Sequence, residues 1–260
     1  MTETILEVKN ITKRFGGVTA VDDCSFKVER GSVTGLIGPN GAGKTTLFNI
    51  ISGFFRPDGG KVILKDNDIT GLSPDRVYKN KLFRSFQIAR DYPEMTVLEN
   101  LLLIPEEQLG ESLLNSWFRM RAVQKQQNVF VQKAMESLRF IGLEQKKDLP
   151  AKYLSGGEKK LLDVGRMMMV DLDMVLLDEP GAGVPPALQK KFLGRIQNLS
   201  RERGLTLFIV EHDMDIIMNI CDKIIVMHDG STLAQGTPEV IRSNPEVIKA
   251  YLGSEWEKAV

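Results

Sequence analysis

The segment Gly38–Thr45 reads GPNGAGKT and constrains the fold of this chain more than any other stretch. An apolar run, VTGLIG, precedes it at residues 33–38, and TTLFNIISG follows at 45–53 with apolar residues at helical spacing and a final glycine. A glycine-rich loop between a strand and a helix matches GxxxxGK[ST], whose backbone N–H groups curl around a phosphate. We therefore predict a nucleoside triphosphate as ligand, with Lys44 at the β and γ phosphates and Thr45 holding Mg²⁺. A glycine-rich turn without a ligand is the alternative.

The run MVLLDEP at residues 174–180 ends an apolar strand in two adjacent carboxylates. Asp178, at the strand end, is placed to bind the Mg²⁺ shell, while Glu179 can face the γ-phosphate and orient or deprotonate a water. Two solvated acids at a strand end are the alternative. A phosphate loop alone does not separate kinases, GTPases, helicases and transport ATPases, so this pair is the next constraint on the chemistry.

Three further residues admit two interpretations each. His212 follows the apolar run TLFIV, at the strand end where α/β proteins bind ligands; it is either a γ-phosphate sensor or an exposed residue beside Asp213, which could cap the next helix. Gln87, in RSFQIARDYP, is either a functional or a surface glutamine, and spacing alone does not decide. Phe15, in TKRFGG, either stacks on adenine or packs in a β region.

The order of periodic segments predicts an α/β fold. The stretches ILEVKNI, CSFKVE and VILKDNDI alternate apolar and polar residues, which indicates antiparallel strands near the N-terminus. Residues 92–153 are helical in pattern, and Val131, Met135, Leu138 and Ile141 are predicted to share one face. Strand-like runs alternate with helices after that segment, which favours a mostly parallel core.

Composition excludes several classes of protein. The 260 residues carry 34 Lys plus Arg and 34 Asp plus Glu, so the net charge of zero makes no global case for nucleic acid or an anionic membrane as partner. Cys24 and Cys221 lack the spacing of a zinc site or a disulfide framework. The first residues do not resemble a signal peptide, and no run approaches the roughly 18 apolar residues of a membrane span. We expect no nucleic-acid binding and no membrane span within this sequence.

Five motifs in order resemble the nucleotide-binding subunit of ABC transporters: GPNGAGKT, a glutamine after a strand, LSGGE at 154–158, LLDEP and a histidine after a strand. The resemblance covers essentially all 260 residues. It implies one ABC ATPase domain over residues 1–260, with the P-loop NTPase fold, an antiparallel β subdomain, a helical subdomain inserted at about 92–153 and a C-terminal helical tail at 236–260. ATP and Mg²⁺ are the implied cofactors.

The resemblance also assigns roles to individual residues. Glu179 is the implied catalytic base and His212 the switch histidine. Metal binding is implied for Thr45, Gln87 and Asp178. Nucleotide binding is implied for Phe15 as the adenine-stacking aromatic, for the Walker A residues and for the signature residues: Gly38, Asn40, Gly41, Ala42, Gly43, Lys44, Thr45, Thr46, Ser155, Gly156, Gly157 and Glu158.

The signature LSGGE explains a second pair of glycines in the chain. Two subunits of this family pack head to tail, so Ser155, Gly156 and Gly157 of one chain would cap the ATP on the Walker A loop of the other, where a hydroxyl and two bare N–H groups approach the γ-phosphate. A serine-capped helix after a flexible turn would explain Ser155 but not the second glycine. Each chain is thus expected to hold two half-sites.

Other strings are similar to the ATP-binding subunits of high-affinity branched-chain amino-acid importers: PEMTVLENLLL, EHDM and the tail GTPEVIRSNPEVIKAYLG. Such subunits lie at the cytoplasmic face of the inner membrane, bound to permease subunits and to a second ATPase, identical or different, and indirectly to a substrate-binding protein. A groove near Gln87 and Tyr92 would move a permease helix. Urea or amide importers and the lipopolysaccharide exporter ATPase carry related strings, and a soluble ABC ATPase acting on a macromolecular assembly is a further alternative. A small-molecule kinase is disfavoured because its chemistry does not require LSGGE.

Two positions depart from the family pattern. Glu158 stands where Gln is usual, a change that close relatives share. Pro185, in GAGVPP, stands where the loop that couples the two ATP sites usually has Asp or Asn. Because proline has neither an N–H nor a side-chain acceptor, we predict that Pro185→Asp alters the cooperativity of hydrolysis more than ATP affinity. An unchanged Hill coefficient would contradict this prediction.

Overall fold

The computed structural model of this chain describes residues 3–84, 92–112, 117–184 and 186–252. It divides into two compact units. The first comprises Met1–Gln87, Leu172–Pro180 and Gln197–Val260, and the second comprises Ile88–Asp171 and Gly181–Ile196. The segment predicted to be helical, 92–153, lies within the second unit, which also contains the helix that follows LSGGE.

The described residues form ten strands, all of them in the first unit. They are β1 (Thr4–Phe15), β2 (Val18–Glu29), β3 (Val33–Ile37), β4 (Gly59–Leu64), β5 (Asn67–Asp68), β6 (Leu82–Arg84), β7 (Met174–Asp178), β8 (Thr206–Val210), β9 (Lys223–His228) and β10 (Ser231–Gly236).

Nine α-helices and three single 3₁₀ turns lie in the same described ranges. The helices are α1 (Lys44–Ile51), α2 (Pro74–Lys79), α3 (Val97–Leu102), α4 (Met120–Ile141), α5 (Gly156–Met169), α6 (Pro186–Arg203), α7 (Met214–Ile220), α8 (Pro238–Arg242) and α9 (Pro245–Leu252). The 3₁₀ turns are Leu109–Glu111, Glu144–Lys146 and Ala151–Tyr153. Within the described part of the chain, every helix is too short or too polar to cross a bilayer.

The strands of the first unit form two sheets. A four-stranded sheet has the order β2-β1-β4-β5 and is antiparallel throughout, as predicted. The stretch VILKDNDI, expected as one strand, instead turns at Lys65 and Asp66 and contributes to both β4 and β5. A six-stranded sheet has the order β10-β9-β3-β8-β7-β6, and its strands from β9 to β6 are parallel. Because β3, β7 and β8 run in the same direction, the loop after β3, the acids at the end of β7 and the histidine after β8 lie along one edge.

Helix α1 is anchored in the core of the first unit. Its ring of Phe48 lies 5.1 Å from that of Phe208 on β8, which lies 5.5 Å from Phe26 on β2. Phe48 and Phe208 are completely buried, and burying a large apolar side chain contributes about 1.5–3 kcal/mol. The helix that follows the glycine-rich loop is therefore held firmly between the two sheets.

Helix α4 of the second unit differs in part from its predicted apolar face. Of the residues predicted to share one face, Leu138 and Ile141 are buried and Val131 is exposed, and the buried face also includes Ala134 and Ser137. These small residues allow α5 to approach closely, and the Ser137 Oγ lies 3.8 Å from the sulfur of Met169. A prediction based on large apolar residues alone therefore placed the buried face part of a helical turn away from its observed position.

Candidate active site

At two positions of the loop after β3, the backbone conformation and the surrounding atoms permit only glycine. Gly38 has φ 157° and Gly43 has φ 94°. A Cβ at Gly38 would lie 2.2 Å from the carbonyl oxygen of Met227, and one at Gly43 would lie 2.3 Å from that of Ala20. The chain therefore requires glycine at both ends of this loop for its own packing.

Lys44 lies across the same loop. Its Nζ donates hydrogen bonds to the carbonyl oxygens of Gly38 at 2.6 Å and Pro39 at 3.0 Å. Burial lowers the pKa of Lys44, and the nearby Glu179 carboxylate acts in the opposite direction. Helix α1 begins at this point without a side-chain cap, so its first amides and its positive dipole end face the loop. Together these groups are suited to bind a phosphate.

Glu179 has an unusual backbone conformation at the end of β7. Its φ is 46°, a left-handed value that is uncommon and strained for a residue other than glycine. Its N–H donates to the carbonyl oxygen of Val210, 2.9 Å away, which joins the ends of β7 and β8. The side chain is about one-third exposed, so its carboxylate is accessible to water.

His212 lies close to that carboxylate. Its Nδ1 is 3.5 Å from Glu179 Oε1 and 4.0 Å from Glu211 Oε2. Asp213 caps α7, because its side chain accepts hydrogen bonds from the N–H groups of Asp215 and Ile216. The structure shows Asp213 as the helix cap and His212 as an exposed side chain in contact with the second acid of LLDEP; its role as a γ-phosphate sensor stays a prediction.

Phe15 lies at the end of β1 with 45% of its surface exposed. Its ring meets Phe55 edge to face at 5.4 Å, and the Nζ of Lys13 lies 5.5 Å from the ring centre. Phe15 therefore packs only partly and leaves aromatic surface available to a ligand. Gln87 and Pro185 lie outside the described residues.

The LSGGE segment starts helix α5 in the second unit. Ser155 is the N-cap: its Oγ accepts from the N–H of Glu158 at 3.4 Å, and Glu158 Oε2 accepts from the Ser155 N–H at 3.0 Å. This reciprocal pair is a capping box. Gly156 is exposed, and apart from its chain neighbours and the backbone of its own helix, no described atom lies within 4 Å of the position that a Cβ would take.

Glu158 is held as a carboxylate. Burial raises its pKa, but the hydrogen bond from Lys146, whose Nζ lies 2.6 Å from Oε1, and those from the N–H and hydroxyl of Ser155 outweigh burial and lower it. The departure from glutamine therefore places a paired negative charge, not a free one, beside the signature serine.

The available donors suit Mg²⁺ bound together with phosphates. The Thr45 hydroxyl in the first turn of α1 and the Asp178 carboxylate at the end of β7 are hard oxygen ligands. Within the described ranges, no group of three or more His, Cys, Asp or Glu side chains could hold a metal ion. The protein residues thus fit an ion whose remaining ligands are phosphate oxygens and waters.

Two polar residues of structural importance were not predicted from the sequence. Arg84 on β6 donates to Asp178 on β7 at 2.7 Å, and these strands are neighbours although about ninety positions separate them. Asn100 on α3 is completely buried and binds the backbone of Tyr92, Met95 and Thr96, while its Oδ1 accepts from Arg166. The arginine in RSFQ was visible in the sequence, but its pairing with Asp178 could be predicted only from the order of the strands in the sheet.

The phosphate loop, the acid pair and their parallel sheet define a P-loop nucleotide-binding protein of the α/β class. Residues 21–182 match the family model described as ABC transporter, and residues 231–257 match that described as branched-chain amino acid ATP-binding cassette transporter. The chain belongs to the ABC transporter family, as one of its ATP-binding subunits, and the expected fold class is confirmed.

Curated relatives are similar over nearly the full length. The "Probable branched-chain amino acid transport ATP-binding protein LivG" of Archaeoglobus fulgidus is 42% identical, over 96% of each chain. The high-affinity branched-chain amino acid transport ATP-binding protein BraF of Pseudomonas aeruginosa is 40% identical over 97% of this chain and 99% of its own. A crystal structure of an ABC transporter ATP-binding cassette in its ADP conformation has 39% identity and a TM-score of 0.81, covering 97% of this chain and 100% of its own.

Proposed function

We propose that this chain is the ATP-hydrolysing subunit of an importer for branched-chain amino acids, bound to permease subunits at the cytoplasmic face of the cell membrane. The observation that carries the ATPase part is the meeting of Lys44, Glu179 and His212 at one edge of the parallel sheet. The substrate class is supported by the names of the similar proteins and by the match of residues 231–257.

In this proposal the phosphates of ATP lie against the loop from Gly38 to Thr46. The amides at the start of α1 and the Lys44 amine bind the β and γ oxygens, and Lys44 leaves its two carbonyl partners to do so. Phe15 stacks on adenine through its exposed ring surface. Thr45, Asp178 and Gln87 would hold Mg²⁺, which would neutralise phosphate charge.

Glu179 acts as the general base toward the attacking water. Its strained backbone is hydrogen-bonded to Val210 at the end of β8. This bond fixes the point from which the side chain extends toward the γ-phosphate position. His212, 3.5 Å away, orients that carboxylate and senses the γ-phosphate. This arrangement assigns hydrolysis to the first unit of the chain.

The second half of each ATP site comes from another subunit in this proposal. Gly156 has ordinary backbone angles and open space where a side chain would lie, so the chain itself does not require glycine there. The Ser155 hydroxyl and the backbone at the start of α5 are exposed and can approach a phosphate held by a second ATPase. Closure of such a head-to-tail dimer on ATP, and its opening after hydrolysis, would move the permeases.

Permease docking is assigned to the segment that contains Gln87, on the family resemblance alone. In the first unit, Phe54, Tyr78 and Phe83 help line a largely apolar cavity of about 260 Å³ close in sequence to this segment. Such a surface suits an amphipathic helix of a membrane partner. Amino-acid recognition belongs to the permease and a substrate-binding protein, since the roles assigned to this chain are ATP binding and hydrolysis.

The ATPase mechanism is tested with Glu179→Gln. This variant retains the side-chain size but lacks the base, so it should bind ATP with Mg²⁺, lose hydrolysis and shift to a dimer in size-exclusion chromatography. Lys44→Ala is the matched control, and it should lose tight ATP binding and remain a monomer. A monomeric Glu179→Gln protein with bound ATP would overturn the sandwich dimer.

The transport role is tested by mild solubilisation of native membranes, affinity capture of this chain and mass spectrometry of what remains bound. Two permeases, a second ATPase and an associated binding protein, followed by loss of leucine or valine uptake on deletion, would support the proposal. Urea or amide permeases, or export components of the lipopolysaccharide type, would replace the substrate class and leave the ATPase intact. Only soluble partners would favour an ABC ATPase that acts on a macromolecular assembly.

A further inference from the structure

Arg84 contacts the acid to which metal binding is assigned. Its Nη2 donates to Asp178 Oδ2 at 2.7 Å. The two side chains are only 14% and 15% exposed, so this ion pair is largely shielded from solvent. Charge-assisted hydrogen bonds of this kind are short and strong, and a shielded pair is screened little by salt.

The guanidinium is held by groups other than Asp178. Its Nη1 donates to Asn49 Oδ1 on α1 and to Ser52 Oγ at 3.3 Å, just after the end of that helix. The rings of Phe48 and Phe54 lie 6.0 and 5.7 Å from its central carbon. A planar, permanently charged group fixed on several sides has little freedom to leave.

This contact limits what Asp178 offers to a cation. One carboxylate oxygen is occupied by Arg84, and the positive charge of the guanidinium opposes a second cation at the other oxygen. Lys44 adds a further positive charge near Glu179. Within the described residues, no group of three or more His, Cys, Asp or Glu side chains is arranged to hold a metal ion.

We propose that Arg84 is a positioning residue that orients Asp178 and prevents divalent cations from binding there without a nucleotide. The phosphates of ATP supply the negative charge that overcomes the opposition, so the metal enters only together with the nucleotide. The free oxygen of Asp178 then faces the metal shell while Arg84 keeps the other oxygen. This inference rests on the role assigned to Asp178 in the proposed function.

The test measures Mn²⁺ binding to the full-length, nucleotide-free protein by electron paramagnetic resonance. The wild-type protein should bind Mn²⁺ weakly. Arg84→Met should bind it at least about tenfold more tightly, because the opposing charge is gone. Arg84→Lys retains the charge and should stay near the wild-type affinity. Equal Mn²⁺ affinity in the wild-type protein and Arg84→Met would overturn the proposal.

Two further variants locate the effect. Arg84→Met combined with Asp178→Asn should lose the gained Mn²⁺ binding; a gain that persists would place the ion elsewhere and overturn the proposal. Arg30→Gln removes an arginine from another ion-paired site of the same unit and should leave Mn²⁺ binding unchanged. If Arg84→Met does not fold, Arg84→Gln decides the question, because it also removes the charge while keeping hydrogen-bonding capacity.

A second measurement separates this proposal from the proposed function. Binding of fluorescent ADP is titrated with and without Mg²⁺. The wild-type protein and Arg84→Met should both bind ADP, and Mg²⁺ should raise the ADP affinity of each. A wild-type protein that does not bind ADP at all would contradict the ATPase assignment, whereas ADP binding by both proteins together with equal Mn²⁺ affinity would contradict only the role of Arg84.

Discussion

The loop before α1 and the segment that begins α5 both place glycines at the start of a helix, but the chain's own packing requires glycine at Gly43 and does not require it at Gly156. At Gly43 the backbone is left-handed and a Cβ would lie 2.3 Å from a carbonyl oxygen. At Gly156 the space is open and the backbone is ordinary. Folding explains the glycine at Gly43 but not the one at Gly156, for which we propose close approach of a phosphate held by another subunit.

The two helix starts also differ in how their amides are used. Helix α1 has no side-chain cap, so its first N–H groups face the phosphate loop. Helix α5 has a capping box, in which Ser155 and Glu158 satisfy each other's N–H groups. A ligand at α1 therefore meets available donors, whereas one at α5 competes with a local hydrogen bond. The comparison predicts tight nucleotide binding by the first region alone and a contribution from the second only in a dimer.

Gly43→Ala should have the largest effect. The substitution imposes a left-handed alanine, which costs about 1–2 kcal/mol, and a collision with the backbone at Ala20. We expect ATP affinity to fall at least about a hundredfold, the equivalent of about 2.7 kcal/mol, as measured by fluorescent-nucleotide titration. Gly194→Ala, on α6 with nothing within 4 Å, is the control and should be neutral or slightly stabilising. Normal ATP affinity in Gly43→Ala would show that the loop before α1 does not require glycine at this position.

Gly156→Ala should leave the stability and the nucleotide affinity of the single chain unchanged. Thermal stability and ADP affinity should equal those of the wild-type protein or rise slightly, because alanine favours a helix. ATP hydrolysis should fall about tenfold or more, and ATP should no longer dimerise the Glu179→Gln protein, because the methyl group meets the second subunit's phosphate. Full hydrolysis together with normal dimerisation would show that this glycine has no role at an interface.

Ser155→Ala has a matched control in the same unit. Thr96 caps α3 with the same reciprocal box, through Glu99. Each alanine substitution should lower the free energy of unfolding by about 1 kcal/mol, as measured by urea titration. Only Ser155→Ala should also lower ATP hydrolysis, because only that hydroxyl is assigned to the partner's phosphate. Equal hydrolysis in the two variants would reduce Ser155 to a helix cap.

The features that the sequence predicted well are local. GPNGAGKT lies between one strand and one helix, and LLDEP ends one strand, so neighbouring residues suffice to assign both. The contact between Arg84 and Asp178 was not predictable, because it depends on β6 lying beside β7 in the sheet. The left-handed φ of Glu179, whose N–H donates to Val210 on the neighbouring strand, was likewise not predictable from the local sequence.

The buried face of α4 illustrates a different limit. Large apolar residues predicted Val131 on that face, but Ala134 and Ser137 occupy it, because close approach of α5 favours small side chains. A sequence pattern based only on large apolar residues cannot predict where two helices pack closely through small side chains. Local pattern thus identified the helix, and tertiary packing determined which of its sides is buried.

Glu158→Gln should have the smallest effect and appear mainly in the pH dependence of stability. Burial works against the ionised form, but the Lys146 and Ser155 hydrogen bonds lower the pKa of Glu158 below its ordinary 4.5. A carboxyl whose pKa is lower in the folded chain stabilises it above the unfolded-state value, and this contribution is lost as pH falls through the folded value. Glutamine does not titrate. The free energy of unfolding, measured by urea titration from about pH 7 to pH 3, should therefore fall more steeply below about pH 4.5 in the wild-type protein than in Glu158→Gln. Parallel curves of unfolding free energy against pH would mean that the charge beside the signature serine contributes nothing to folding.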